Sequence, residues 1–285
     1  MAIIKQDGFE FYEGLNGHRT FSLKGLNLSE ELSYINKKQI LSVAIEDSNS
    51  ILLNDLSFLK EVNMIEELHV GSSPTNYSGI YHLENLKKIT INGKNRRQNL
   101  DYSKFRKLEF LSIDWCKEFP DLSKNKELKE LYIWKFRPQN KTFEGLSLPK
   151  NLNLLHITES NVVSLDGLED LKIEQFEAYY CSKLESIKAL EGVSKHLNTL
   201  ILENCKNVKD FDRLRTCSEM EKMILTKCGE IPNLKWLKSM KKLKMFTFLD
   251  THITDGDLSN CMGIHYVYFR NSKNYNHRVE EFSNL

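Results

Sequence analysis

The sequence predicts an α/β solenoid: short strands stacked rung upon rung into a parallel concave β-sheet, with short 3₁₀ or irregular turns on the convex side. Two observations carry this. First, an apolar phrase returns about every 22 residues, and self-similarity at such a period marks a stacked-repeat architecture. The phrase is apolar, two variable, apolar, one variable, apolar, then a small residue three places on. It reads Leu108, Leu111, Ile113, Cys116, and again Leu152, Leu155, Ile157, Ser160. It returns as Ile173, Phe176, Ala178, Cys181, as Leu197, Leu200, Leu202, Cys205, and as Met220, Met223, Leu225, Cys228. Second, beyond the small residue apolar side chains recur at every third position, as in Val162, Leu165, Leu168 and Leu184, Ile187, Leu190. That period suits 3₁₀ turns rather than long α-helices. A strand-and-turn unit of this kind cannot bury its apolar side alone, so neighbouring copies must stack to complete the core.

The elements follow in order. In residues 1–17, Ile3, Ile4, Phe9, Phe11 and Tyr12 around Asp7-Gly8 predict a hairpin that caps the open N-terminal end of the solenoid. Residues 18–285 are the solenoid, opening on a weak copy with Phe21 and Leu23 in its strand. Further copies start at Ile40, Ile65, Leu86, Leu108, Leu128, Leu152, Ile173, Leu197, Met220, Leu243 and Ile264, about a dozen rungs in all. Pro120, Pro149 and Pro232 fall in the convex turns, where no ladder donor is needed. Tyr275, Val279, Phe282 and Leu285 continue the convex spacing of a last, incomplete copy, and no separate domain is expected after it.

This pattern resembles the short class of leucine-rich repeats, of about 22 residues, found in protein-phosphatase regulatory subunits and bacterial internalins. The resemblance spans about residues 18–285 and implies a right-handed horseshoe that acts by presenting its concave sheet to another macromolecule. The chain departs from those families at the ninth place, where they usually carry Asn. Here Cys116, Cys181, Cys205 and Cys228 stand, with Ser48, Ser73, Ser160, Thr251 and Ser272 in other copies. A place that accepts Cys, Ser and Thr calls for a small side chain that bonds backbone at the strand-to-turn corner.

Composition excludes several function classes. With 40 basic and 39 acidic residues, the charges nearly cancel and give no global pull toward nucleic acid or a membrane. Arg96-Arg97, Lys87-Lys88 and Lys241-Lys242 sit at repeat junctions beside acidic residues and read as solvated turn charges. The run Ala2-Ile3-Ile4 is too brief for a signal-peptide core, and no stretch approaches the roughly 20 apolar residues of a membrane span. A soluble cytoplasmic chain with reduced cysteines is therefore expected, although Cys181, Cys205 and Cys228 on successive rungs bring neighbours toward disulfide range. No two cysteines form a C-x-x-C pair and the eight histidines show no ligand spacing, so neither a metal nor a cofactor is expected. There is no Gly-rich phosphate loop and no nucleophile elbow, which points away from an enzyme.

The candidate site is the concave face. Along each strand the fourth and sixth places point inward, so the third, fifth and seventh face out from the sheet. From the copy at Leu108 these are Phe110, Ser112 and Asp114, with Trp115 at the edge; the next offers Glu130, Tyr132 and Trp134. Leu154, His156 and Thr158 follow, with Glu159 beside them, then Gln175, Glu177 and Tyr179 with Tyr180, then Thr199, Ile201 and Glu203. Trp and Tyr at such density mark protein-binding surfaces, since they supply rigid area with a polar tip; cross-strand packing is the plainer alternative. Asp114, Glu130, Glu159, Glu177 and Glu203 stand against Lys135 alone, which favours a basic partner. Later rungs, with Lys222, Ile224, Lys227, Met245, Leu249, Tyr266, Tyr268 and Arg270, are apolar and basic instead. His156 with Glu177 would form a pair, but on an open sheet it lacks a water-excluding pocket.

The function expected is that of a non-enzymatic module that captures a basic protein, as a bacterial toxin-inhibiting immunity protein would; nucleases are basic because they bind phosphate. One alternative, implied by the resemblance, is a regulatory or scaffold subunit docking on a phosphatase or other enzyme. Another is a self-associating structural protein, because the strand edge at Ile264 is open for pairing. A monomer or weak self-association fits these readings.

Overall fold

The computed structural model describes residues 2–46, 51–71, 74–92 and 100–282. Ser48, Ser73, Arg96, Arg97 and Leu285 lie outside the described residues. The chain forms two compact units, Met1–Leu128 and Lys129–Leu285.

In the first unit, β1 (Ala2–Gln6) and β2 (Phe9–Glu13) form an antiparallel hairpin, with Asp7 and Gly8 both at positive φ in its turn. β2 lies antiparallel on β3 (Arg19–Leu23), where Phe9 and Phe11 reach the ring of Phe21 at 5.6 and 5.4 Å. From β3 the sheet turns parallel through β4 (Ser42–Ile45), β5 (Glu67–Val70), β6 (Lys88–Ile91) and β7 (Phe110–Asp114). The crossovers are 3₁₀ segments, such as Leu56–Glu61, Ser78–His82 and Tyr102–Lys104. One crossover departs from this rule. Between β3 and β4 the chain forms an α-helix, α1 (Leu28–Lys38). Its apolar residues Leu28, Leu32 and Ile35 follow helical spacing, and Leu32 and Ile35 are buried. Glu30 and Glu31 in the first turn and Lys37 and Lys38 in the last complement the helix dipole. Glu31 is buried and accepts the backbone N–H groups of Lys24 and Gly25, both at 2.9 Å, which ties the helix start to the end of β3.

The second unit is a run of parallel strands in chain order: β8 (Glu130–Trp134), β9 (Leu154–Thr158), β10 (Gln175–Tyr179), β11 (Thr199–Glu203), β12 (Lys222–Ile231), β13 (Met245–Ile253) and β14 (Tyr266–Phe269). The convex side is built from 3₁₀ segments at Phe211–Thr216, Lys235–Ser239, Ser259–Cys261 and Val279–Phe282, with one helical turn, α2 (Leu190–Val193). Fourth- and sixth-place residues such as Leu131, Ile133, Leu155, Ile157, Phe176, Ala178, Leu200 and Leu202 are fully buried. The register sets each place of one repeat beside the same place of the next, so side chains run in continuous columns.

The ninth place does what its composition implies. Cys205 Sγ donates to the Ala178 carbonyl of the preceding rung (3.4 Å), Cys228 Sγ to Leu202 (3.2 Å) and Thr251 Oγ1 to Leu225 (3.0 Å). Thr251 Oγ1 also accepts the Cys228 N–H at 3.0 Å. All six cysteines are free and buried. Just before this ladder, the eighth place is left-handed in six consecutive repeats: Lys135, Glu159, Tyr180, Asn204, Lys227 and Asp250 have φ between 49° and 55°. That conformation costs an L-residue roughly 1–2 kcal/mol. It lets the backbone N–H groups of Glu159, Tyr180 and Asn204 bond the next rung at 3.0, 2.8 and 2.9 Å as the chain leaves the strand.

Candidate functional site: an aromatic sheet surface

On β8 to β11 the outward columns bring together most of the expected site residues. Tyr132, His156 and Glu177 are direct register partners at the fifth place, and Thr158, Tyr179 and Glu203 at the seventh, with Trp134 ending β8. The rings of Tyr132 and Tyr179 flank the His156 imidazole, each with its centroid 5.0 Å away, and Trp134 lies at 5.5 Å. His156 Nδ1 meets Glu177 Oε2 at 2.9 Å.

The open-sheet expectation for His156 is corrected here. Only 9% of the residue is exposed, because three aromatic side chains from neighbouring strands close over it. The pair it forms with Glu177 is shielded, with side-chain exposures of 11% and 13%. Burial pushes the Glu177 carboxyl upward, but the hydrogen bonds from His156 and Gln175 and the charges of His156 and Lys222 outweigh it. The net effect holds Glu177 below the usual carboxylate range. A carboxylate accepts only, so Nδ1 carries the proton and donates. His156 Nε2 is then left buried with no hydrogen-bond partner among the described residues. The same environment holds the neighbouring phenols neutral. Tyr132 is pushed up to about 12 by burial and by Glu130 and Glu177, and Tyr179 to about 12 by burial and by Glu177 and Glu203.

Around this cluster, Glu130 and Glu203 are half-buried, Trp134 is 37% exposed, and Glu159 and Tyr180 are exposed at left-handed corners. Tyr180 is 56% exposed, and no ring packs against it among the described residues. The remaining expected residues belong to the first unit. On β7, Phe110 is half-buried, and Asp114 is buried at 8% exposure rather than presented as a surface carboxylate. Trp115 is half-buried and stacks on Phe119 at 5.0 Å.

Two roles go beyond the outward places read from the sequence. Gln175 hydrogen-bonds Glu177 through its side-chain amide, so it orients the carboxylate beneath the rings. In the first unit, Glu67 is a polar hub that accepts from Ser42 Oγ at 3.2 Å and pairs with His18 Nε2 at 2.8 Å and Lys88 Nζ at 2.7 Å. Applying the third- and fifth-place rule to the copies at Ile40 and Ile65 finds Ser42, Glu67 and His69. Burial lowers the His69 pKa against the opposing charge of Glu67. Among the described residues no group of His, Cys, Asp or Glu has the arrangement of a metal site, and no helix is long and apolar enough to cross a membrane.

No family model matches the chain, and no curated protein matches it. Solved structures do match. An internalin of Listeria monocytogenes superposes with a TM-score of 0.58 at 16% identity, covering 94% of this chain and 87% of that one. A leucine-rich repeat protein of Leptospira interrogans matches at TM-score 0.48 and 14% identity, covering 89% of this chain and 59% of that one. Internalin C2 of Listeria monocytogenes matches at TM-score 0.33 and 16% identity, with 74% of each chain covered. The first of these likenesses, with the in-register parallel strands and 3₁₀ crossovers, makes the protein a leucine-rich repeat solenoid.

Proposed function

We propose that the second unit captures a basic protein on the face of β8 to β11 without catalysing a reaction. The observation that carries this is the aromatic cluster over a shielded carboxylate: Tyr132, Trp134 and Tyr179 around His156 and Glu177, bordered by Glu130, Glu159, Tyr180 and Glu203. The strands hold these rings in place, so docking costs little side-chain entropy. The surrounding carboxylates draw a cationic surface and set its orientation. Tyr180 adds an exposed aromatic at a conformation unfavourable for a bulky residue, which fits a side chain retained for contact rather than for folding. Within this class we favour inhibition of a basic enzyme such as a nuclease in a bacterial cytoplasm, over recruitment to a phosphatase.

The test is affinity capture at low salt, comparing the native chain with a Trp134→Ala/Tyr179→Ala/Tyr180→Ala variant that keeps its circular dichroism. Basic proteins retained by the native chain alone, and released as salt rises, are expected. Equal retention by both chains would reduce the aromatics to packing and place binding elsewhere. A nuclease assay on the captured partner then separates inhibition from recruitment.

A further inference from the structure

The chemistry of the same sheet surface changes past β11. The fifth-place column runs on through Ile201, Ile224 and Thr247 to Tyr268, flanked at the third place by Met245 and Tyr266 and at the seventh by Leu249. Tyr266 and Tyr268 are 45% and 46% exposed, and the four aliphatic side chains are half-buried. Solvent-facing positions of a sheet are ordinarily polar, so six apolar side chains on four neighbouring strands, broken only by the threonines Thr226 and Thr247, mark a contact surface.

Two ammonium groups border the patch. Lys222 is half-buried at the third place of β12, and Lys227 is exposed at the left-handed corner of the same rung. Lys222 is near enough to Glu177 to lower its pKa, yet neither lysine forms an ion pair among the described residues. Arg270, by contrast, is held by Asp250 at 3.0 Å. Apolar side chains beside cations that have no ion-pair partner among the described residues are the complement of an apolar segment that carries carboxylates. β10 and β13 are three rungs apart, so the two chemistries are separated by roughly 14 Å at ~4.8 Å per strand.

We infer that the face of β11 to β14 docks an apolar, carboxylate-bearing segment of the same protein partner. The partner is thus bipolar, basic over β8 to β10 and acidic-apolar about 14 Å further on. This rests on the protein-binding role proposed above for the β8–β11 face.

Synthetic peptides test it directly. One alternates Arg and Gly, one alternates Glu with Phe or Leu, and a third joins the two through a Gly/Ser linker of about six residues, whose r.m.s. span is close to 14 Å. Binding to the full chain is read by fluorescence anisotropy. The acidic peptide is expected to bind the native chain and to weaken at least tenfold with Lys222→Glu/Lys227→Glu, while the basic peptide binds at least as tightly as before, because Lys222 acts electrostatically on Glu177. The joined peptide should bind at least tenfold tighter than either half, because the second contact becomes intramolecular. No binding of the acidic peptide, or binding indifferent to the lysine substitutions, overturns the inference while leaving the basic site standing. Failure of the basic peptide alone strikes the earlier proposal instead, and with it the bipolar partner. Sedimentation of the unliganded chain as a dimer that Tyr268→Ser dissolves would assign the patch to a second copy and also overturn the inference.

Discussion

The shielded His156–Glu177 pair makes a quantitative prediction about how the sheet surface is held. His156→Phe keeps a ring of similar size between Tyr132 and Tyr179 but removes the Nδ1–H that Glu177 accepts at 2.9 Å. The carboxylate keeps Gln175 as a donor. Leaving a buried acceptor short of one partner should cost about 2 kcal/mol. Glu177→Leu strands the imidazole N–H under the same rings and should cost about the same. In the double variant neither polar group remains, and apolar replacement of a buried pair is often close to neutral. A net loss of about 1 kcal/mol for the double variant gives a coupling of about 3 kcal/mol. Urea titration followed by circular dichroism should show each single variant displaced by about 1 M and the double variant close to the native chain, with matched slopes. The pH dependence has a definite sign. Glu177 is depressed in the folded chain, so its contribution is complete above its ordinary value of 4.5 and is lost as pH falls through its lower folded pKa. The penalty of His156→Phe should therefore shrink below about pH 4.5. Costs that simply add, with coupling under about 0.5 kcal/mol, would show that the pair does not act as a unit and refute the reasoning.

Other predictions concern the scaffold. Gly79→Ala would place a Cβ 1.7 Å from the Leu56 carbonyl where two 3₁₀ segments cross, and should destabilise the first unit by about 1–3 kcal/mol in a thermal or urea melt. Thr251→Val keeps the side-chain shape but removes the hydroxyl that serves Cys228 N–H and the Leu225 carbonyl, for an expected loss of about 1–3 kcal/mol. Burial raises the thiols of Cys217 to about 11 and Cys261 to about 12 and shields all six cysteines, so a maleimide should label them only on unfolding. Rapid labelling of the native chain at neutral pH would contradict this burial.

Much of the scaffold is legible in the sequence because repetition multiplies a weak local signal. The apolar places of each copy become the buried fourth and sixth columns, and the small ninth place becomes a ladder of side chain-to-carbonyl bonds from rung to rung. The third, fifth and seventh places likewise assign Tyr132, Trp134, Glu177, Tyr179 and Glu203 to one surface, since strand alternation is a property of the chain itself. The α-helix Leu28–Lys38 was less visible. Among the described residues it is the one α-helix longer than a single turn, and its helical apolar spacing competes with a solenoid-wide rule of threes.

What only the tertiary structure decided is the exposure and pairing of polar groups within that surface. His156 and Asp114 occupy outward places yet are buried, because exposure depends on which side chains stand beside them on adjacent strands. The protonated nitrogen of His156 follows from Glu177 on the next rung, and the orientation of Glu177 follows from Gln175. Alternation along one strand determines the direction of a side chain. The lateral packing of neighbouring strands determines whether water reaches it, and that packing is a relation between residues more than twenty positions apart.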